Sequence, residues 1–250
     1  CRRDRCGGRW QQRASGPELT GAKEKTEMIE SQFTSPSGLN SEMELRSASA
    51  KTGLRFLMAA ISSMFFLFFI SYIMRSQISD WEALAQPWQP LATTNQLWIN
   101  SIFLVVASFA LEGTRYELGK PELGLSQEFL WVAGAASLVF LAGQLSFWGF
   151  LSANGFYVQK NPANSFFYLL TGLHGLHLLG GLVALTVANY RLMRARRERS
   201  IESTKLAKLS ADLCAMYWHF LMALWLIVFA LVSSSPSTYA AIAEFCGLSI

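Results

Sequence analysis

Long apolar windows alternate with short polar segments along most of the chain. A helix that crosses a bilayer needs about 20 mostly apolar residues. Five windows approach or exceed that length and carry no charged residue; they cover residues 56–74, 93–111, 129–153, 164–190 and 213–232. The pattern therefore predicts an all-α, polytopic membrane protein with five transmembrane helices.

Both ends of the chain differ from this membrane domain, which the pattern places at residues 51–232. Residues 1–50 are polar and lack hydrophobic periodicity, so they bury too little apolar surface to offset the entropy of ordering. We expect a disordered basic extension, part of which is untranslated if synthesis starts at Met28 or Met43. Residues 233–250 begin with SSSPS, and their apolar part is too short to cross again, which predicts an outer tail.

Composition and charge support a membrane location and set the predicted orientation. Hydrophobic residues make up 52% of the 250 residues and charged residues only 15%, against about 25% in soluble domains. Lys and Arg favour the cytoplasmic side of short loops. The approach to the first window and the loops at residues 113–128 and 191–212 would share one side of the membrane and hold twelve Lys and Arg residues. The segments on the other side hold only Arg75 and Lys160, so the N-terminus is predicted inside and the C-terminus outside. The basic run after residue 190 belongs to this signal, and no nucleic-acid partner is predicted.

The stretch FYLLTGLHGLHLLGGL, residues 167–182, carries two of the three histidines of the chain, His174 and His177. The third, His219, lies in the last window within YWHF. Three imidazoles could ligate a metal or haem, but the windows contain almost no Cys, Asp or Glu to complete a ligand set. The favoured interpretation is that neutral imidazoles form hydrogen bonds across helix contacts, where an unpaired polar group is costly.

Small and polar residues beside the histidines also indicate helix packing. Thr171 with Gly175, and Gly180 with Ala184, are spaced to let two helices approach closely in lipid. A glutamine inside the third window, Gln144, could face a proton or water path, and the favoured interpretation is a hydrogen bond to a neighbouring helix. Glu112 with Arg115 is interpreted as an interfacial ion pair. No catalytic, cofactor-binding or metal-binding residue is predicted; the predicted structural and lipid-contact positions are Gln144, Thr171, Gly172, His174, Gly175, His177, Gly181, Trp218, His219 and Trp225.

Three motifs occur together in one order: LVFLAGQLSFW, then FFYLLTGLHGLHLLGGLVAL, then YWHFLMALWLIVFALV. In this combination, residues 54–232 resemble subunit III of the haem–copper oxidases, the cytochrome c oxidase type, in its short five-helix bacterial form. Many members carry a carboxylate three residues after the glutamine and another soon after W-H-F. This chain has Phe147 and Met222 at those positions. The loss of both acids puts in doubt any proton relay that depends on them.

The resemblance implies a non-catalytic subunit with no activity alone and no cofactor of its own. Haem and copper would belong to the partners, which are the catalytic subunit I, subunit II and other small subunits. The chain would bind phospholipid in a bacterial inner membrane and support O₂ reduction, proton uptake and electron transport by the catalytic subunit. Alternatives are subunit III of a quinol oxidase and the accessory subunit of nitric oxide reductase. A free-standing membrane cytochrome and a small transporter are less favoured.

Overall fold

The computed structural model describes residues 36–78, 81, 95–120, 124–159, 161–245 and 247. The regular elements in these ranges are all α-helices: α1 Pro36–Arg75, α2 Gln96–Glu117, α3 Gly124–Ala153, α4 Pro162–Glu198, α5 Ile201–Val232 and α6 Pro236–Phe245. Of these helices, α1 to α5 are long and apolar enough to cross a membrane. The predicted all-α fold with five spanning helices is therefore confirmed.

Helices α1, α4 and α5 continue well beyond the apolar windows that predict them. α1 begins at Pro36, inside the segment for which we expect disorder, α4 continues to Glu198, and α5 already begins at Ile201. Good helix formers such as Glu, Lys, Arg and Ala are frequent in the extensions of α4 and α5, so these stay helical in water. An apolar window thus marks the part of a helix suited to lipid, not the whole helix. Residues 1–35 of the expected extension lie outside the described residues.

The chain divides into two compact units, Cys1–Lys51 and Thr52–Ile250. In the second unit, α2, α3, α4 and α5 form a closed ring in which each helix packs against the next and α5 packs against α2. Neighbours run antiparallel: along α2 and α5, Ser101 bonds to Trp225 and Ser108 to His219, so rising residue numbers meet falling ones. The ring encloses most of the buried aromatic side chains.

Helix α1 lies beside this ring and meets it through long aromatic side chains. Phe65 packs on the His177 ring with centroids 5.9 Å apart, and Tyr72 packs edge-on against Phe166 at 5.6 Å. Only 17% of the most apolar window of α1 is buried, against 50% for α2 and for α5. Most of the α1 surface is therefore available to lipid or to another protein.

Specific residues cap both ends of α4, the first helix of the hairpin formed with α5. The Asn161 side chain accepts a hydrogen bond from the Ala163 backbone N–H at 3.0 Å, and Pro162 fits the first turn because it has no N–H to satisfy. At the other end, Arg199 adopts the left-handed conformation (φ 51°), and its N–H bonds to the Ala195 carbonyl. This single residue reverses the chain so that α5 starts two positions later.

Gly181 sets the distance between α4 and α5 because the Trp218 indole lies directly over it. A Cβ atom built at Gly181 would lie 2.5 Å from Cζ3 of Trp218, whereas one at Gly180 would meet nothing within 4 Å. The predicted close approach at Gly180 and Ala184 is therefore wrong at Gly180. The close contact is made by the next residue along the helix.

We expect Gly181→Ala to destabilise the folded chain by about 1–3 kcal/mol, because the added methyl group must displace a fully buried tryptophan. Gly180→Ala is the matched control: it has the same gain in helix propensity but no steric conflict. Reversible unfolding in mixed micelles measures both. Equal stability of the two variants would contradict the assigned Gly181–Trp218 contact.

Candidate functional site at the tryptophan and histidine helix contacts

Trp225 lies where four helices meet. From α5 its indole N–H donates a hydrogen bond to the Ser101 hydroxyl of α2 at 2.9 Å. Its ring lies 5.1 Å from His174 of α4 and edge-on against Phe140 of α3 at 5.0 Å, measured between ring centroids. One fully buried side chain therefore fixes the relative positions of α2, α3, α4 and α5.

Two further indoles make the same kind of bond, which we call an indole–hydroxyl bond. Trp218 of α5 donates to the Ser137 hydroxyl of α3, and Trp148 of α3 donates to the Thr171 hydroxyl of α4, both at 3.2 Å. Lipid offers no acceptor for an indole N–H, and here a neighbouring helix supplies it. The three bonds join α2 to α5, α5 to α3, and α3 to α4.

Each hydroxyl in these bonds is also tied to its own helix. Ser101, Ser137 and Thr171 each donate to the backbone carbonyl four residues earlier, at 2.7–2.8 Å. Donating to that carbonyl fixes the direction of the hydroxyl and leaves its lone pairs free to accept the indole N–H. The acceptor is thus oriented before the tryptophan packs against it.

The three predicted histidines occupy three different environments. His174 is fully buried, contacts Phe140 and Trp225 by its ring, and has no hydrogen-bonding partner on either ring nitrogen among the described residues. His177 is half-buried, meets Phe65 of α1, and bonds through Nδ1 to the Leu173 carbonyl of its own helix at 2.7 Å. Neither of these two imidazoles therefore forms a direct hydrogen bond to another helix among the described residues.

His219 is the one of the three that bonds to another helix. Its Nδ1 pairs with the Ser108 hydroxyl, and its Nε2 lies 3.3 Å from the Glu112 carboxylate, both on α2. Glu112 also accepts from Arg115 at 2.9 Å, which confirms the predicted ion pair, and Arg115 reaches Asp212 of α5 at 3.0 Å. These charged side chains are partly exposed and tie the ends of α2 and α5 together.

Just beyond α2, Lys120 pairs with Glu117 at 2.6 Å. This hydrogen bond raises the pKa of Lys120. Three ion pairs therefore lie at the end of α2: Glu112–Arg115 within the helix, Arg115–Asp212 to α5, and Glu117–Lys120 to the residues just beyond it, as expected where a spanning helix leaves the lipid.

The three imidazoles face different helices, which is evidence against a shared metal or haem site. His174 faces α3 and α5, His177 faces α1, and His219 faces α2. Among the residues that the structure describes, no group of three or more His, Cys, Asp or Glu side chains could hold a metal ion. The histidines of this chain are thus separate packing elements and do not form one ligand set.

The remaining predicted positions lie along the contact between α3 and α4. Gln144 is 3% exposed and has no partner for its side-chain carbonyl or amide among the described residues. Gly172 lies under the Trp148 ring, where a Cβ would approach to 3.2 Å, and Gly175 faces Leu141 at ordinary contact distance. Phe147, at one position where the family often carries an acid, is fully buried against Phe167.

Sequence analysis missed the partners of the tryptophans. Ser101, Ser137 and Trp148 were not among the predicted positions, although each completes an indole–hydroxyl bond. The available signal was a serine in an apolar window of a chain that also places tryptophans well inside its windows. That signal does not identify which serine meets which indole, because the pairs are 81 and 124 residues apart.

Two apolar grooves flank α1 in the Thr52–Ile250 unit. The first, of about 610 Å³, lies between α1 and α5 and is lined by Phe65, Phe66, Phe69, Phe220, Leu224 and Ile227, among others. The second, of about 370 Å³, lies between α1, α4 and α5 and includes Leu57, Gly180, Ala184, Tyr217, Arg191 and Ser210. Arg191 donates to the Ser210 hydroxyl at 2.6 Å, so its guanidinium is held at the edge of the second groove.

We expect Ser137→Ala to destabilise the chain by about 0.5–2 kcal/mol, because it leaves the buried Trp218 N–H without an acceptor. Ser146→Ala on the same helix is the matched control, since that exposed hydroxyl bonds only to the Ala142 carbonyl. Unfolding in mixed micelles and the near-ultraviolet circular dichroism of the tryptophans are the measurements. The assignment fails if both variants unfold alike.

Comparison with known proteins places these contacts in a family. The sequence matches the family model for cytochrome c oxidase subunit III over residues 42–234. It is 26% identical to cytochrome c oxidase subunit 3 of Thermostichus vulcanus over 183 residues, or 72% of this chain and 84% of that protein. The corresponding protein of Synechocystis sp. is 28% identical over 181 residues, or 72% and 73% of the two chains.

A quinol-oxidizing relative is also similar over a shorter region. Subunit 3 of the cytochrome bo(3) ubiquinol oxidase of Pseudomonas putida is 32% identical over 108 residues, or 43% of this chain and 47% of that protein. The match to the family model extends across all five spanning helices and includes the motifs whose tryptophans and histidines hold the ring together. The chain therefore belongs to the cytochrome c oxidase subunit III family.

Proposed function

We propose that the chain is the non-catalytic subunit III of a respiratory haem–copper terminal oxidase. In this role it supports O₂ reduction to water, electron transport and proton uptake by the catalytic subunit, which it stabilises. The observation that carries the proposal is the family match over a bundle in which the polar side chains of the motif residues serve mainly helix contacts. Haem and copper are then held by partners, namely the catalytic subunit I and subunit II.

We base the proposed membrane on this role and the proposed orientation on the distribution of Lys and Arg. We place the chain in a bacterial inner membrane, with the N-terminus on the cytoplasmic side because the Lys and Arg excess lies there. The Glu112–Arg115–Asp212 ion pairs at the ends of α2 and α5 then lie near the cytoplasmic surface. At that depth, exposed charges remain in contact with water or headgroups.

The electron donor has two candidates. Cytochrome c is favoured by the relatives named cytochrome c oxidase subunit 3, whose similarity extends over about 72% of this chain. A quinol donor is favoured by the bo(3) ubiquinol oxidase relative, which is more identical but over only 43% of this chain. The breadth of the match supports the cytochrome c type as the first candidate.

Phospholipid binding is the part of the role that the grooves beside α1 support. The second groove is apolar over most of its lining and ends at Arg191, which its bond to Ser210 holds in place. An acyl chain fits the apolar lining, and a phosphate fits the guanidinium, which favours bidentate oxygen ligands. We propose that an anionic phospholipid lies there, with its headgroup on Arg191.

The subunit assignment is tested by affinity purification of the tagged chain from its own membranes in mild detergent. We expect a haem–copper catalytic subunit to copurify in equal amount, together with haem absorbance. The chain produced alone is the control, and we expect it to be colourless. Copurification without any haem–copper subunit, or a Soret band on the chain alone, would contradict the proposal.

The lipid assignment is tested separately with Arg191→Gln. We expect the purified complex to retain less anionic phospholipid by native mass spectrometry, with a loss of about one lipid per subunit, because the headgroup loses its charged ligand. Arg197→Gln is the control, an exposed arginine on the same helix that does not line the groove. Equal lipid content in both variants would rule out Arg191 as the headgroup ligand.

A further inference from the structure

Gln144 and His174 are buried polar side chains, and none of their hydrogen-bonding atoms is paired with a described residue. Gln144 is 3% exposed and His174 is 0% exposed. Neither the two amide atoms of Gln144 nor the two ring nitrogens of His174 have a partner among the residues that the structure describes. Burying an amide or imidazole without a hydrogen-bonding partner costs folding free energy, and such groups are rare in folded proteins.

The two side chains belong to facing turns of α3 and α4. Phe140, one turn before Gln144, packs edge-on against the His174 ring with centroids 6.0 Å apart. Trp148, one turn after Gln144, donates to Thr171, which lies one turn before His174. Contacts on both sides thus place Gln144 opposite the turn of α4 that contains Thr171 and His174.

The polar groups nearest to this position are already committed elsewhere. The Thr171 hydroxyl donates to the Phe167 carbonyl and accepts from Trp148. The Trp225 indole, which packs on His174, donates to Ser101. Backbone carbonyls in this part of α3 and α4 are bonded within their helices, and two of them also accept from Asn100 and Gln96 of α2. Among the described residues, none of them accepts from the Gln144 amide or the His174 ring. A molecule other than these protein groups has to satisfy the amide and the imidazole.

The chemistry of the two side chains restricts what that molecule is. A neutral imidazole offers one donor and one acceptor, and the glutamine amide offers both kinds of group. The surroundings are aromatic, with Phe140, Phe147 and Trp225 all buried, and supply no countercharge for an ion. The occupant must therefore be small, neutral and able both to donate and to accept.

We propose that Gln144 and His174 bind buried water between α3, α4 and α5, next to Trp225. Buried waters typically make about three hydrogen bonds to polar groups that would otherwise be unpaired. One or two water molecules here join the amide to the imidazole and connect α3 to α4 beside the point where four helices meet. The site belongs to the core of this chain and needs neither a cofactor nor a particular electron donor.

The direct test is a structure of the intact membrane complex at about 2 Å, a resolution that shows ordered waters. We expect density within about 2.6–3.2 Å of both the Gln144 amide and a ring nitrogen of His174. His177 is the internal control, because its Nδ1 already bonds to the Leu173 carbonyl. A direct bond between Gln144 and His174, a protein group from a partner on either side chain, or the absence of ordered density would overturn the proposal.

A double-mutant cycle provides an independent test in the same complex. Gln144→Leu and His174→Phe should each lower the melting temperature by about 2–4 °C, because each leaves the water without one of its partners. The double variant should melt no lower than the worse single variant, since it removes both sides of the site. Gln144→Leu with His177→Phe is the control pair, whose losses should add. Additive losses in the first pair as well would overturn the proposal.

Discussion

The need to give each buried indole N–H an acceptor on a neighbouring helix is the constraint on which the four-helix ring depends. Three tryptophans pack between the helices, and each carries one N–H that lipid cannot satisfy. The acceptors are hydroxyls of Ser101, Ser137 and Thr171, each bonded to its own helix one turn back. Pairing therefore fixes which helices meet and at what height, a specificity that apolar packing in lipid does not supply by itself.

The same constraint explains why small residues occur where they do. An indole is wide, so a helix that receives its face has to lack a side chain at that point. Gly181 meets this condition under Trp218, and Gly172 does so under Trp148. Trp218 bonds to α3 while its ring lies on Gly181 of α4, so it joins three helices, whereas Trp148 bonds to Thr171 and lies on Gly172 of the same helix, α4.

Sequence analysis predicted the five spans and the Glu112–Arg115 ion pair because hydrophobic length and helix spacing are local properties. It did not predict that His174 and His177 have different neighbours. Side chains three residues apart on a helix point in directions about 60° apart. This difference turns His174 toward the inside of the four-helix ring and His177 toward α1. Ser101 and Ser137 were missed because their partners are distant in sequence, and nothing local distinguishes a serine that accepts an indole from one that faces lipid.

The contrast between the ring and α1 separates two roles within one chain. The ring uses its tryptophans, hydroxyls and glycines to hold itself together and leaves few polar groups for other chemistry. Among the described residues, α1 takes part in no indole–hydroxyl bond and contacts the four-helix ring through the long side chains of Phe65 and Tyr72. The two apolar grooves lie along this contact, one between α1 and α5 and the other between α1, α4 and α5. The proposed phospholipid site fits this division, because the four-helix ring supplies one wall of each groove and α1 supplies the other.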